Sequence, residues 1–309
     1  MVNSPIGSAI RVGIEISSTS LNAVAIDVGD EVKRAHSVVF SDDEGVVGQI
    51  KTIVDEFRKE FGEFQRLGVA IPGLVDRESG RVAFSAIVPT QTDVELGKQI
   101  EAATGVKVII ENDANAAAYG EYCCGSGRGS SNMFYATLGE GVGGSFIFGG
   151  KTWHGASGFA GEFGYVPINS EGMRLEDVAS AANIVRRTRA RFHQDSTSSL
   201  GRLTEEDLTL SDIISAAQNK DDFAQMMLER TGSYVGTAVA SVINLLNVEL
   251  IVLGGSIMQA RHLVLKAVIE RARELSFERS FAATRIVEGE LGTNAAAIGA
   301  ASIGGFGTD

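Results

Sequence analysis

The stretch NMFYATLGEGVGGSFIFGG, Asn132 to Gly150, carries an apolar run into a glycine-dense turn and an aromatic-rich run out of it. Such a turn brings backbone N–H groups close to something small and usually anionic. Glu140 stands in its middle, an acid in a loop suited to phosphate. Gly139, Gly141 and Gly144 satisfy G-x-G-x-x-G, yet that fingerprint needs a helix next, and Ser145–Phe148 are strand formers. GGKT at 149–152 fails as a Walker A loop because Ser145 stands where glycine is required. Taken alone, the turn is either a plain hairpin or a phosphate loop.

The whole chain narrows the choice. It has 309 residues, a formal net charge of −12 and 44% hydrophobic content, enough for one large core or two ordinary domains. No apolar run approaches the ~20 residues that span a bilayer, and the N-terminus lacks the succession of a signal peptide. The two cysteines, Cys123 and Cys124, are neighbours, which suits neither a disulfide nor a zinc site of their own. A reduced, cytoplasmic protein is the expectation. The acidic balance opposes nucleic-acid binding, whose affinity comes from Lys and Arg.

Periodicity predicts alternating strands and helices. Strands are expected at Val12–Ile16, at LNAVAIDV and at RAHSVVF, followed by an amphipathic helix over 45–61 with Val46, Ile50, Ile53, Val54, Phe57 and Phe61 on one face. Short strands LGVAIPG and VKVII flank a helix in VELGKQIEAATG. The second half repeats the opening with a hairpin across the glycine turn, then strand-like EFGYVPI and helices in LEDVASAANIVRRTRARF, LSDIISAAQ and FAQMMLERTGSYVGTAVASVINLLN. Strand VELIVLGG, helix IMQARHLVLKAVIERARELS, a strand near TRIVEGE and the small-residue helix TNAAAIGAASIG complete the pattern. The valine and isoleucine stripe of the long helix, Val235 to Leu246, reads as core. The polar HQDSTSSLGRLTEED segment reads as an exposed loop.

Carboxylates recur beside glycines and at strand ends. VIIENDANAAAYGEY runs from an apolar strand through Glu111, Asn112 and Asp113 into an alanine-rich helix. Asp113 there is either a helix cap or a base, with Asn112 beside it to recognise hydroxyls. GFAGEFGY presents Glu162, and RLEDVAS presents Glu176 at a helix start, where it also complements the helix dipole.

GVAIPGLVD, VIIENDANAAAYGE, TLGEGVGGSFIFGG, GASGFAGEFGY, VLGGS and NAAAIGAA occur in an order and spacing that resembles the bacterial ROK family of repressors and sugar kinases. The resemblance covers nearly the whole chain. It implies a duplicated actin-like ATPase (ribonuclease H-like) α/β fold, with two domains and a central cleft. The domains are expected at 1–115 and 116–309, with the helix near 293–305 packing back on the first. The implied activity is ATP-dependent phosphorylation of a hexose or N-acetylhexosamine hydroxyl, with Mg²⁺. Asp113 matches the general base. Gly73, Asn112, Glu162, Tyr165 and Glu176 match sugar-side positions. Ser17, Ser18 and Thr19 match the first phosphate loop, with Glu15 as a magnesium candidate. Gly139, Glu140, Gly141 and Gly143 match the second loop, and Gly254 and Gly255 the adenosine site. A homodimer is implied, with no nucleic-acid or membrane partner.

Departures from the family pattern are specific. The first loop is Glu15-Ile16-Ser17-Ser18-Thr19 where the family has Asp-x-Gly-Gly-Thr, so two serines replace glycines. If those positions need positive φ, serine is strained there. Glu140 replaces a threonine. Two unit charges at 4 Å repel by roughly 4 kcal/mol at an effective dielectric near 20. Three explanations stand for Glu140: a magnesium ligand, an outward-facing side chain, or a site that no longer takes ATP. Tyr165 replaces a zinc-binding histidine and VPINSEGMRL contains no cysteine, so no zinc is expected. About ten residues precede the first strand, which leaves no DNA-reading module. Two further readings follow: a sugar-binding sensor without catalysis, and a kinase with another phosphoryl donor. Selectivity would lie around Ser85–Gln91.

Overall fold

The computed structural model describes residues 10–41, 43–76, 79–85, 88–191 and 197–305. The extreme N-terminus, residues 86 and 87 of the selectivity loop and residues 192–196 of the serine-rich segment lie outside the described residues. The chain forms two compact units, Met1–Arg128 with His154–Phe159 and Thr293–Asp309, and Gly129–Trp153 with Ala160–Gly292.

The first unit is built on a five-stranded sheet ordered β3-β2-β1-β4-β7. Its strands are β1 (Arg11–Ile16), β2 (Ser20–Ile26), β3 (Val32–Val39), β4 (Arg66–Ile71) and β7 (Lys107–Asn112). β1, β2 and β3 form an antiparallel meander, and β4 and β7 continue parallel to β1. Helix α1 (Gly45–Phe61) buries Ile50, Ile53, Val54 and Phe57 on this core, the face that its periodicity predicts. α2 (Leu96–Thr104) lies between β4 and β7 in the chain, and a small hairpin, β5 (Leu74–Asp76) and β6 (Arg81–Phe84), precedes it. α3 (Asp113–Cys124) follows β7 directly and belongs to this unit. The unit therefore extends past the expected boundary at 115.

α10 (Ala295–Gly305) completes the first unit. It is apolar on all sides and buried, with Ala297 and Ala301 fully covered. Its backbone comes so close to the sheet that a Cβ on Gly68 would stand 1.8 Å from the Ala300 carbonyl oxygen, and one on Gly13 would stand 2.0 Å from that of Ala297. Alanine and glycine are used on both sides because nothing larger fits.

The second unit repeats the sheet order as β10-β9-β8-β11-β12. β8 (Asn132–Leu138), β9 (Val142–Phe148) and β10 (Lys151–Trp153) are antiparallel, while β11 (Leu250–Gly254) and β12 (Arg285–Glu288) run parallel to β8. The strand order, sense and turn positions match those of the first unit, a duplication that sequence identity does not display. α6 (Leu210–Gln218), α7 (Asp222–Leu246), α8 (Arg261–Leu275) and α9 (Glu278–Ala283) complete it. In α7, Val235, Val239, Val242 and Ile243 are buried as expected, while Leu246 is 42% exposed.

Two expectations fail locally. EFGYVPI is not a strand: Phe163–Tyr165 form a 3-10 turn, and Pro167, which lacks an N–H, makes a single bridge with Arg174. The helix expected from Leu175 breaks at Ser180, whose extended backbone separates α4 (Glu176–Ala179) from α5 (Ala181–Arg189). The described part of the serine-rich segment is pinned rather than loose. Ser198 and Ser199 donate to Asp221, the cap of α7, and Leu200 is buried.

Candidate active site

The junction of β7 and α3 shows which of its two adjacent polar residues caps the helix. The helix cap is Asn112, whose Oδ1 accepts the Asn115 N–H at 3.1 Å. Asp113 is the first helical residue, half-buried, so capping does not account for it. Asn112 Nδ2 donates to Asp113 Oδ1 and to the Gly73 carbonyl, each at 3.0 Å, which orients the Asp113 carboxylate and joins the Pro-Gly turn to it. Beneath them lies Glu111, 3% exposed. Its Oε1 accepts the Asn112 N–H at 2.9 Å and Asn115 Nδ2 at 3.1 Å, and its Oε2 lies 3.1 Å from His154 Nε2. A buried carboxylate is tolerable only with partners of this kind. Sequence reasoning gave neither Glu111 nor His154 a role; the available signal was an acid immediately before the Asn-Asp pair. Ser85, also buried, donates to the Pro72 carbonyl at 2.5 Å and braces the same turn.

The turn between β1 and β2 holds Ser17, Ser18 and Thr19. Neither serine adopts positive φ, so the feared strain is absent. The Ser17 hydroxyl closes the turn on itself: Oγ accepts the N–H groups of Thr19 (3.3 Å) and Ser20 (3.0 Å) and donates to the Ser20 carbonyl (3.0 Å). Glu15 is half-buried and accepts Asn22 Nδ2 at 3.2 Å.

The second unit carries the remaining residues. Gly139, Glu140 and Gly141 form the turn between β8 and β9, Gly143 pairs with Thr137 inside the hairpin, and the Glu140 side chain is exposed. Gly139 donates its N–H to the Gly141 carbonyl at 3.0 Å. Gly254 ends β11 and Gly255 opens the next turn, alongside Leu138 and the Tyr135 hydroxyl. Glu162 precedes the 3-10 turn and Glu176 begins α4. Burial, and after it the Glu176 carboxylate, push the Glu162 carboxyl above its ordinary 4.5. Tyr165 is 59% exposed, and the Arg174 guanidinium lies 4.5 Å over its ring.

Among the described residues, no cluster of three or more His, Cys, Asp or Glu side chains is placed to hold a metal ion, and no helix is long and apolar enough to cross a membrane. Burial pushes the Cys123 thiol up to about 11 and raises that of Cys124, so neither is a ready nucleophile.

Residues 11–304 match the ROK family. The chain belongs to the ROK family. Its fold is the duplicated actin-like ATPase fold of that family. A relative, the glucokinase of Halalkalibacterium halodurans, is 29% identical over 306 residues, 93% of this chain and 92% of that protein. The ROK family glucokinase of Streptomyces griseus, solved in complex with glucose and AMPPNP, superposes with a TM-score of 0.84 at 26% identity, covering 96% of this chain and 99% of that one. A ROK family transcriptional regulator, a homologue of the E. coli MLC protein, superposes equally well at 26% identity but is covered only to 78% of its length. ROK membership thus spans both enzymes and regulators.

Proposed function

We propose that this ROK protein transfers a phosphoryl group from ATP to a hydroxyl of a hexose or N-acetylhexosamine. The observation that carries the reading is the orientation of Asp113 by Asn112, with the helix capped by Asn112 and not by Asp113. In that position Asp113 accepts the proton of the acceptor alcohol as its oxygen attacks the γ-phosphorus and the bond to the departing diphosphate breaks. Asn112, Glu162 and Glu176 are the sugar-side groups, with the Tyr165 hydroxyl as a further donor and Gly73 shaping its turn. The Gly139–Gly143 and Ser17–Thr19 turns are the phosphate loops, and Gly254 and Gly255 the adenosine turn.

The hard carboxylate oxygens of Glu15, steadied by Asn22, fit a magnesium ion. Magnesium supplies neutralisation of phosphate charge when bound, which eases the approach of the nucleotide to an acidic protein. The Glu140 side chain is exposed at the tip of the turn.

One observation favours a second reading, a sugar-binding member with weak donor affinity. Ser17 occupies the N–H groups of Thr19 and Ser20, which a bare glycine would leave to a phosphate. Calorimetry with Mg-ATP and with a panel of hexoses and N-acetylhexosamines, run separately, tests both readings. The kinase reading requires both ligands to bind and labelled sugar phosphate to form. Sugar binding without nucleotide binding, and no product, leaves the sensor. Product from polyphosphate but not from ATP assigns another donor.

A further inference from the structure

The Glu176 carboxylate is already committed before any ligand arrives. Its Oε2 accepts the N–H of Val142 at 3.0 Å, and Val142 is the residue that closes the glycine turn and opens β9. Gly141 and Gly164 lie bare against the same oxygen: a Cβ on either would stand 3.3 or 3.2 Å from it. The opposite end of the turn is held from the same corner. Ala181, first residue of α5, donates its N–H to the Gly139 carbonyl at 2.8 Å. The break at Ser180 makes the second tie possible, because a continuous helix would keep the Ala181 N–H inside its own ladder. Both ends of the 139–142 turn are therefore anchored on α4 and α5, one by a backbone bond and one by a side chain.

We propose that Glu176 is a positioning residue for the glycine turn, so that a single carboxylate serves the sugar side and the donor loop together. This deepens the kinase reading and rests on it for the names of the two ligands, but the tie itself does not. Val142 is 7% exposed, so its N–H depends on Glu176 for a partner. Removing the acceptor frees the turn to move, and a phosphate loop works by holding its N–H groups still. The acceptor need not be charged. A glutamine oxygen takes the same hydrogen bond, whereas the sugar side loses a carboxylate.

Two variants separate the roles, Glu176→Ala and Glu176→Gln, read by Mg-ADP calorimetry without sugar and by hydrogen exchange at the Val142 amide without any ligand. The expected result for Glu176→Ala is about tenfold weaker Mg-ADP binding and at least about tenfold faster Val142 exchange. Glu176→Gln should keep both within about twofold of the parent while losing sugar affinity as the alanine variant does. The proposal is overturned if both variants lose sugar affinity while Mg-ADP binding and Val142 exchange stay unchanged. It is equally overturned if the glutamine variant fails like alanine in both readouts, with parental thermal unfolding. Should the parent protein bind no Mg-ADP at all, the kinase reading falls, and the exchange rates alone decide the tie.

Discussion

Glu111 Oε2 and His154 Nε2 lie 3.1 Å apart, joining a buried acid at the end of β7 to the first residue after β10. The same acid holds the Asn112 backbone and the Asn115 side chain, so the imidazole stands one residue removed from the turn that presents Asp113. His154→Ala leaves a buried carboxylate short of a partner and should cost about 1–3 kcal/mol of stability. His154→Gln, which keeps a donor, should recover part of it. Urea denaturation of the three proteins checks this.

Asp113→Asn should retain sugar affinity within a few-fold, because the amide still accepts the Asn112 hydrogen bond. Turnover should fall by at least about a hundredfold, the usual worth of a positioned base. Sugar calorimetry beside direct detection of sugar phosphate makes the comparison, and unaltered turnover would return Asp113 to a structural role.

Ser17→Gly removes the hydroxyl that occupies the Thr19 and Ser20 amides. If those amides serve a phosphate, Mg-ATP affinity should rise by about a few-fold, a modest gain because the turn also becomes looser. Tighter turn dynamics are not expected, so weaker binding would mean that Ser17 itself contacts the nucleotide. Titration of parent and variant under one salt condition distinguishes the two.

Glu162 has its carboxyl raised above 4.5, first by burial and then by Glu176. A folded-state value above the unfolded one means that the folded protein holds this proton more tightly. The associated stability is fully present below pH 4.5 and is lost as pH rises through the higher folded value. Glu162→Gln should therefore be at least as stable as the parent at pH 7, with the difference closing toward pH 4. The residue keeps part of its surface in solvent, which keeps the effect small. Melting temperatures across that range give the sign.

Gly68→Ala would drive a Cβ into the Ala300 carbonyl. The collision is backbone against sheet, with no flexible side chain to yield. A loss of about 3 kcal/mol or more is expected by overpacking, measured as a fall in the denaturation midpoint or as failure to fold.

Most of the architecture was legible because its signals are local. The stripe from Ile50 to Phe57 predicts α1, and the apolar runs at Val12, Leu67 and Leu250 predict buried strands at their observed places. The misses were places where one residue overrides a pattern. Pro167 denies EFGYVPI a ladder, and the extended backbone of Ser180 divides a helix whose periodicity runs straight through it. At the site, the Asn-Asp pair and the glycine turns could be read as types. Which of two adjacent residues caps α3 could not, since both have the chemistry to do it and only the backbone torsions at Asn112 decide. The Glu111–His154 contact spans 43 positions and leaves no local trace. The Glu176–Val142 contact is equally silent, because any acid near a glycine loop reads as a ligand before it reads as a brace.

The covering of β1 and β4 by α10 has a temporal consequence. Residues 129–292, the body of the second unit, must leave the ribosome before the helix that seals the first sheet exists. During that interval Gly13 and Gly68 face an unfilled trench, and the first sheet waits with apolar surface uncovered on a helix made after the second unit. Vectorial synthesis here cannot finish its first domain first.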